Sequence, residues 1–164
     1  MPTHDDVDRI VQAWARERPD LDVTPLEILS RVSRLARRLD LARGQAFAAE
    51  GLEGWEFDVL SALRRAGAPY ELSPGALVAE TLVTSGTMTN RIDRLLRRGL
   101  VERRPSDTDR RGVIVRLTPD GMHTVDSAME VLLDHERELL ADLPDTERDA
   151  LVTALRSLLR SFEA

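Results

Sequence analysis

The sequence predicts a mainly helical chain carrying one two-stranded hairpin, and three observations predict it. Apolar residues recur at helical spacing over most of the 164 residues. Strand-like, β-branched runs with apolar–polar alternation are confined to two short stretches around residues 100–117. The helical stretches are punctuated by cap residues, prolines or glycines.

Val7, Ile10, Val11 and Trp14 lie at i, i+3, i+4 and i+7, so an amphipathic helix over about 5–18 opens the chain and stops at Pro19. Thr24-Pro25 reads as a cap followed by an N1 proline, and the stripe Leu26, Leu29, Val32, Leu35, Leu39, Ala42, Ala46 runs on to Glu50-Gly51. The third helix, Trp55 to Ala66, stops at Gly67. Its apolar residues Trp55, Phe57, Val59, Leu60 and Leu63 wrap most of its circumference, which predicts the central, most buried helix.

Pro69-Tyr70-Glu71-Leu72 is a short extended piece. Ser73-Pro74 repeats the cap-plus-proline signal and starts a two-turn helix with Ala76, Leu77, Ala79 and Leu82 inward. Val83-Thr84-Ser85-Gly86 breaks it, and a further helix runs over about 85–98 to Gly99. Two strands follow, Leu100 to Arg104 and Gly112 to Leu117, joined by a polar, turn-forming segment, residues 105–111. Thr118-Pro119-Asp120 caps a long helix lined by Val125, Met129, Leu132, Leu133, Leu139 and Leu140. Pro144-Asp145 separates it from a last helix carrying Leu151, Leu155, Leu158, Leu159 and Phe162.

Composition bounds the function. With 42% apolar and 32% charged residues the chain is globular, and the absence of Cys removes disulfides, thiol nucleophiles and thiolate metal sites. No apolar run reaches the ~18 residues of a membrane span, so no membrane partner is expected. The acidic start, Met1-Pro2-Thr3-His4-Asp5-Asp6, resembles no secretory or transit peptide, and a cytoplasmic location is expected. His4, His123 and His135 are dispersed, and no nucleophile-elbow, phosphate-loop or dinucleotide motif occurs. An enzyme, a metal site and a cofactor are therefore not expected.

The formal charge is −6, but it is unevenly spread. All 23 basic residues are Arg; residues 84–116 hold nine of them against four acids, while the other 131 residues carry 14 against 25. A basic island on an acidic body is the footprint of a nucleic-acid face. A helical module that only dimerises or binds protein explains the apolar stripes but not the island.

Helix, tight turn, helix and hairpin follow in the order of a winged helix-turn-helix, here residues 53–118, with the recognition helix at about 85–98 and the wing at about 100–118. Residues 1–52 and 119–164 then form a helical dimerisation region, because their apolar stripes exceed what one small winged domain can cover. Met88, Ile92, Leu95 and Leu96 make the inner stripe of the recognition helix. Thr87, Asn90, Arg91 and Arg94 make the outer one, and their side chains suit base edges in the major groove. Ser85 and Thr87 open this helix beside free backbone N–H groups able to hold a phosphate, and Thr89 is counted with the same DNA-facing set. Arg97, Arg98, Arg103 and Arg104 suit phosphate neutralisation. In the hairpin, Asp109 can hold Arg110 or Arg111 while the other enters a minor groove.

The run Asp109-Arg110-Arg111-Gly112-Val113-Ile114-Val115-Arg116-Leu117-Thr118 resembles the wing signature of MarR-family transcriptional regulators, D-x-R-x-x-x-hydrophobic-x-L-T, and matches it throughout. With the flanking helices the resemblance covers nearly the whole chain. It implies a homodimer on a palindromic double-stranded DNA operator, a repressor weakened by a small anionic or aromatic ligand.

The N-terminal extra helix resembles the urate-responsive PecS/HucR-type branch of that family. The four residues associated with its ligand site match Trp14, Asp58, Arg65 and Arg103 here. Seven residues separate Asp58 from Arg65, which sets them on one side of the central helix roughly 10 Å apart. The resemblance favours urate as effector and leaves tricarboxylates of the citrate and aconitate type as the alternative. It also gives Arg91 a signal-relay role that competes with base contact; the sequence does not separate the two.

Overall fold

A computed structural model describes residues 4–105 and 112–162. Seven helices and three strands follow one another as α1 (Asp6–Glu17), α2 (Pro25–Ala49), α3 (Gly54–Arg65), β1 (Glu71–Leu72), α4 (Pro74–Thr81), α5 (Ser85–Arg97), β2 (Val101–Pro105), β3 (Val113–Leu117), α6 (Pro119–Leu139) and α7 (Asp145–Leu159), with a 3₁₀ turn over Arg160–Phe162. Among the described residues no helix is long and apolar enough to cross a membrane.

Local chemistry starts and stops these elements. Asp5 caps α1, its carboxylate accepting from the N–H groups of Val7 and Asp8, while Asp8 returns a bond to the N–H of Asp5. Arg31 of α2 then donates to both carboxylates at 2.8 and 2.7 Å, and Val7 is buried beneath them. The Arg31 hydrogen bond is the largest cause holding the Asp5 carboxyl at about 2. Ser73 caps α4 by accepting from the N–H of Ala76 at 3.2 Å.

Thr24 does not cap α2, contrary to the sequence expectation. Its hydroxyl and its N–H both donate to Asp22, so the oxygen has turned away from the helix. The neighbouring acid is the better acceptor and wins the competition.

The core is built around α3, where Val59, Leu60 and Leu63 are fully buried and Phe57 stacks on Phe47 of α2 with ring centroids 4.1 Å apart. Trp55, expected among the buried residues, is only partly covered and lies at the edge of the core. Glu56 is buried in its place. On the other side α4 and α5 contribute Leu77, Met88, Ile92 and Leu95.

The hairpin is antiparallel, Val101 facing Leu117 and Arg103 facing Val115. The extended piece before α4 adds a third strand, giving the order β1-β3-β2 with Glu71 opposite Arg116. Leu82, expected inward, is instead exposed: it ends α4 in the left-handed region at φ 53°, and that reversal swings its side chain out.

Outside this unit much apolar surface is uncovered. Ile28, Leu29 and Leu35 of α2, Leu133 and Leu139 of α6, and Leu158 and Leu159 of α7 are exposed, and α7 has no buried residue.

The wing and α6 are locked together at one close approach. Thr118 caps α6 through the N–H of Gly121 at 3.0 Å and donates its hydroxyl to the Gly99 carbonyl at 2.7 Å. A Cβ on Gly121 would lie 1.9 Å from the Leu100 carbonyl oxygen, which is backbone and has no room to yield. Gly121→Ala is therefore expected to destabilise by about 1–3 kcal/mol and lower the melting temperature by several degrees. Gly44→Ala, on open helix surface with nothing within 4 Å, should raise it slightly. Thermal unfolding followed by circular dichroism checks both signs.

Candidate nucleic-acid interface and effector cavity

Helix α5 is capped by Thr84, whose hydroxyl accepts from the N–H of Thr87 at 3.3 Å and meets the Thr87 hydroxyl at 2.9 Å. Met88, Ile92 and Leu95 bind it to the core, as the inner stripe requires. Ser85, Thr87, Thr89 and Asn90 are exposed along its N-terminal half. Thr89 donates its hydroxyl to the Ser85 carbonyl at 3.0 Å, leaving its methyl group as the more accessible feature. The first turn thus presents small polar side chains and N–H groups outward.

The arginines are not a bare row of charges. Arg91 is half-buried with its guanidinium 5.5 Å from the centre of the Trp55 ring, and Arg94 lies 4.6 Å from the same ring. Arg94 also pairs with Glu53. Arg98 bonds the buried carboxylate of Glu56 and, at 2.9 Å, the Gly51 carbonyl. Arg103 pairs with Asp93 at 2.7 Å, and Arg104 is held by Glu71 of β1. Among the described residues Arg97 donates to its own helix, at the Asp93 carbonyl. Asp109, Arg110 and Arg111 lie outside the described residues.

Glu53, Trp55 and Glu56 are participants that sequence reasoning missed. The indole N–H of Trp55 donates to Glu53 at 2.6 Å and, ahead of Arg94, holds that carboxyl below the usual range. A Glu inside the apolar run 55–63 was the signal for Glu56: a buried carboxylate needs a partner.

Between α3 and the end of α4 lies a cavity of about 220 Å³ lined by Asp58, Ser61, Arg65, Glu80, Thr81 and Leu82. Arg65 donates to Ser61 at 2.9 Å and to Glu80 at 3.2 Å, which points its guanidinium along the cavity wall. The Asp58 carboxyl reaches the surface, yet the surrounding protein displaces enough water to push its pKa up, against the pull of Arg91, Arg65 and Arg43. Of the four residues the resemblance singled out, the structure brings Asp58 and Arg65 to one cavity. Trp14 is 50% exposed on α1, and Arg103 sits on Asp93; neither lines it.

The arrangement accords with the comparisons. The profile of the MarR family matches residues 50–112. The chain is 38% identical over 158 residues to the HTH-type transcriptional regulator PecS of Dickeya dadantii, covering 96% of this chain and 93% of that one. It is 44% identical over 66 residues to the multiple antibiotic resistance protein MarR of Salmonella typhimurium, covering 40% of this chain and 44% of that one. Among solved structures, a mutant MarR from E. coli complexed with operator DNA superposes with a TM-score of 0.70 at 27% identity, covering 85% of this chain and 99% of that chain.

The Arg98–Glu56 contact has a measurable consequence for the site. Arg98→Met leaves the Glu56 carboxylate buried without its counter-charge. Because the guanidinium is itself 41% exposed, the expected loss is about 1–3 kcal/mol, less than for a fully enclosed pair. Arg97→Met should be neutral within about 0.5 kcal/mol. Urea unfolding of the two variants beside the unsubstituted chain separates them.

Proposed function

The chain belongs to the MarR family of transcriptional regulators, and from that membership we propose a homodimeric repressor that a small anion, urate first, releases from a palindromic operator. The observation that carries the reading is the exposed first half of α5, Ser85, Thr87 and Asn90, backed by an arginine-rich flank. Residues 53–118 form the DNA-binding unit. Two-fold pairing through residues 1–52 and 119–164 supplies the second recognition helix, about 34 Å away on the next turn of the duplex. The uncovered apolar faces of α2, α6 and α7 support that pairing. In this reading Ser85, Thr87, Thr89, Asn90, Arg91 and Arg94 meet the groove. Arg97, Arg98, Arg104, Arg110 and Arg111 approach phosphates or the minor groove, and Asp109 steadies the wing.

For the effector, Asp58 and Arg65 form the binding pair, with Trp14 and Arg103 assigned on resemblance. Two carboxylates, Asp58 and Glu80, share the cavity with the Arg65 guanidinium. That balance favours a flat, delocalised monoanion over a tricarboxylate, whose extra charges would face Asp58 and Glu80. Since the cavity lies against α3 and α3 packs on α5, an anion that displaces Asp58 can move the recognition helix.

The expected outcomes are these. The dimer shifts DNA from upstream of its own coding sequence, and affinity falls on the order of a thousandfold between about 50 and about 200 mM salt. Urate abolishes the shift, and citrate serves as the contrasting ligand. Arg65→Ala weakens urate about tenfold, the worth of a charge-assisted hydrogen bond. An anion beside Asp58 raises that carboxyl's pKa further, so binding takes up a proton and tightens as pH falls toward the raised value. Asp58→Asn should bind urate about fivefold more tightly and flatten that pH dependence. Calorimetric titration at several pH values reads both effects, and urate affinity that is the same in Arg65→Ala removes the cavity from the account.

A further inference from the structure

One cluster on the DNA-facing side belongs neither to the core nor to the effector cavity. Glu53 precedes α3, and its two carboxylate oxygens are divided: one accepts from the indole N–H of Trp55 at 2.6 Å, the other from the guanidinium of Arg94. Arg94 lies over Trp55 with its guanidinium carbon 4.6 Å from the ring centre, and Arg91 approaches the same ring at 5.5 Å. Arg94 is 44% exposed and Glu53 56% exposed, so both sides of the pair are open to solvent. Arg94 stands four residues after Asn90 and seven after Thr87, on the flank of α5 that carries the exposed polar residues.

We propose that Glu53 and Trp55 form a clasp that holds Arg94 in the free protein, and that a DNA phosphate must displace Glu53 to engage this arginine. Glu53 and Trp55 thereby set the threshold affinity for DNA. This rests on α5 being the helix that enters the groove.

Three physical points carry the exchange. Carboxylate and phosphate are alternative acceptors for the same guanidinium, so one replaces the other without leaving Arg94 unpaired. A solvent-exposed ion pair is weak enough to be exchanged, and the cation–π attraction by which the indole face steadies Arg94 in the free protein is itself weak at an exposed site and yields with it. Finally, Glu53 keeps its bond from Trp55 after Arg94 departs, so release orphans no polar group. Glu53 and Trp55 are positioning residues in this scheme; Arg94 makes the contact.

The test is a double-mutant cycle on the full chain, titrating a duplex recovered from a random pool by the unsubstituted protein. Glu53→Gln retains an acceptor for Trp55 but removes the competing charge; it should bind this duplex about three- to fivefold more tightly. In an Arg94→Met background the same substitution should change affinity by less than about 1.5-fold. In a Trp14→Phe chain, Trp55 is the one remaining tryptophan. Its emission should change on DNA addition as Arg94 leaves the ring.

Glu53→Gln binding that is unchanged or weaker overturns the clasp. So does equal tightening in the Arg94→Met background, which marks a general acidic field, or Trp55 emission indifferent to DNA. An unsubstituted protein that recovers no duplex overturns the DNA reading of α5 and the clasp with it. The other failures leave that reading intact, so the two are told apart.

Discussion

The central helix can lie in the middle of the molecule because Glu56, the charged side chain it buries, is met by Arg98 from the end of α5. The Glu56 carboxylate also accepts from the N–H of Glu53 at 3.0 Å, so one group finishes the start of α3 and fastens α5 to it. Apolar burial of Leu60, Leu63, Met88 and Leu95 supplies the larger energy, and the one-sided stripe of α5 sets which of its faces turns inward. The ion pair fastens the C-terminal end of α5 to the start of α3 in that orientation, with Ser85, Thr87 and Asn90 facing outward. Arg103–Asp93 then ties the first wing strand to the same helix, and Gly121 lets α6 close down on the turn between them.

That construction places two surfaces on one rigid rod. The start of α3 meets the recognition arginines through Glu53 and Trp55. Asp58, only three residues after Trp55 and so roughly 4.5 Å along the axis, opens onto the cavity with Arg65. An event in the cavity and an event at the DNA face are thus separated by a single helical turn. Since α3 is enclosed on both sides, it has little freedom to deform locally and must move as a body. Coupling between the two surfaces needs no longer path than this.

How much of this was legible in the sequence depended on the range of the interaction. Ser73 and Thr118 as caps, Gly67 and Gly99 as stops, and the inner stripe of α5 all depend on residues within about four positions, and the periodicity carries them. Thr24 misled because the same local logic offered its hydroxyl a better acceptor in Asp22. A two-residue strand such as β1 has no period to detect; only its pairing with β3 defines it. The fates of the arginines were invisible for a different reason. Arg98 meets Glu56 from 42 positions away and Arg104 meets Glu71 from 33, so charge counting along the chain could register the island but not its partners. Asp58 and Arg65 were assigned by resemblance, and what the residues themselves showed was only that seven positions along one helix set both on one side. Trp14 and Arg103 were assigned by resemblance, and in the single chain they lie apart from the cavity.

The partners of the arginines change the meaning of the basic island. Its surplus of positive charge is a statement about composition, whereas the free protein offers DNA a surface on which many guanidiniums already face carboxylates. Those pairs fall into two kinds. Arg94–Glu53 and Arg103–Asp93 are open to water on both partners, and a phosphate competes with the carboxylate at little desolvation cost. Arg98–Glu56 encloses its carboxylate, 2% exposed, and exchanging that partner would strand a buried charge, while Arg104–Glu71 covers its carboxylate to 17% exposure. The first kind is therefore open to exchange, whereas in the second a phosphate would have to add to the carboxylate rather than replace it. A protein of net charge −6 that keeps its exchangeable arginines paired presents a muted field to non-specific DNA. Under the proposed clasp, a duplex would have to fit α5 well enough to draw those arginines across, and complementarity of shape would then precede the electrostatic gain.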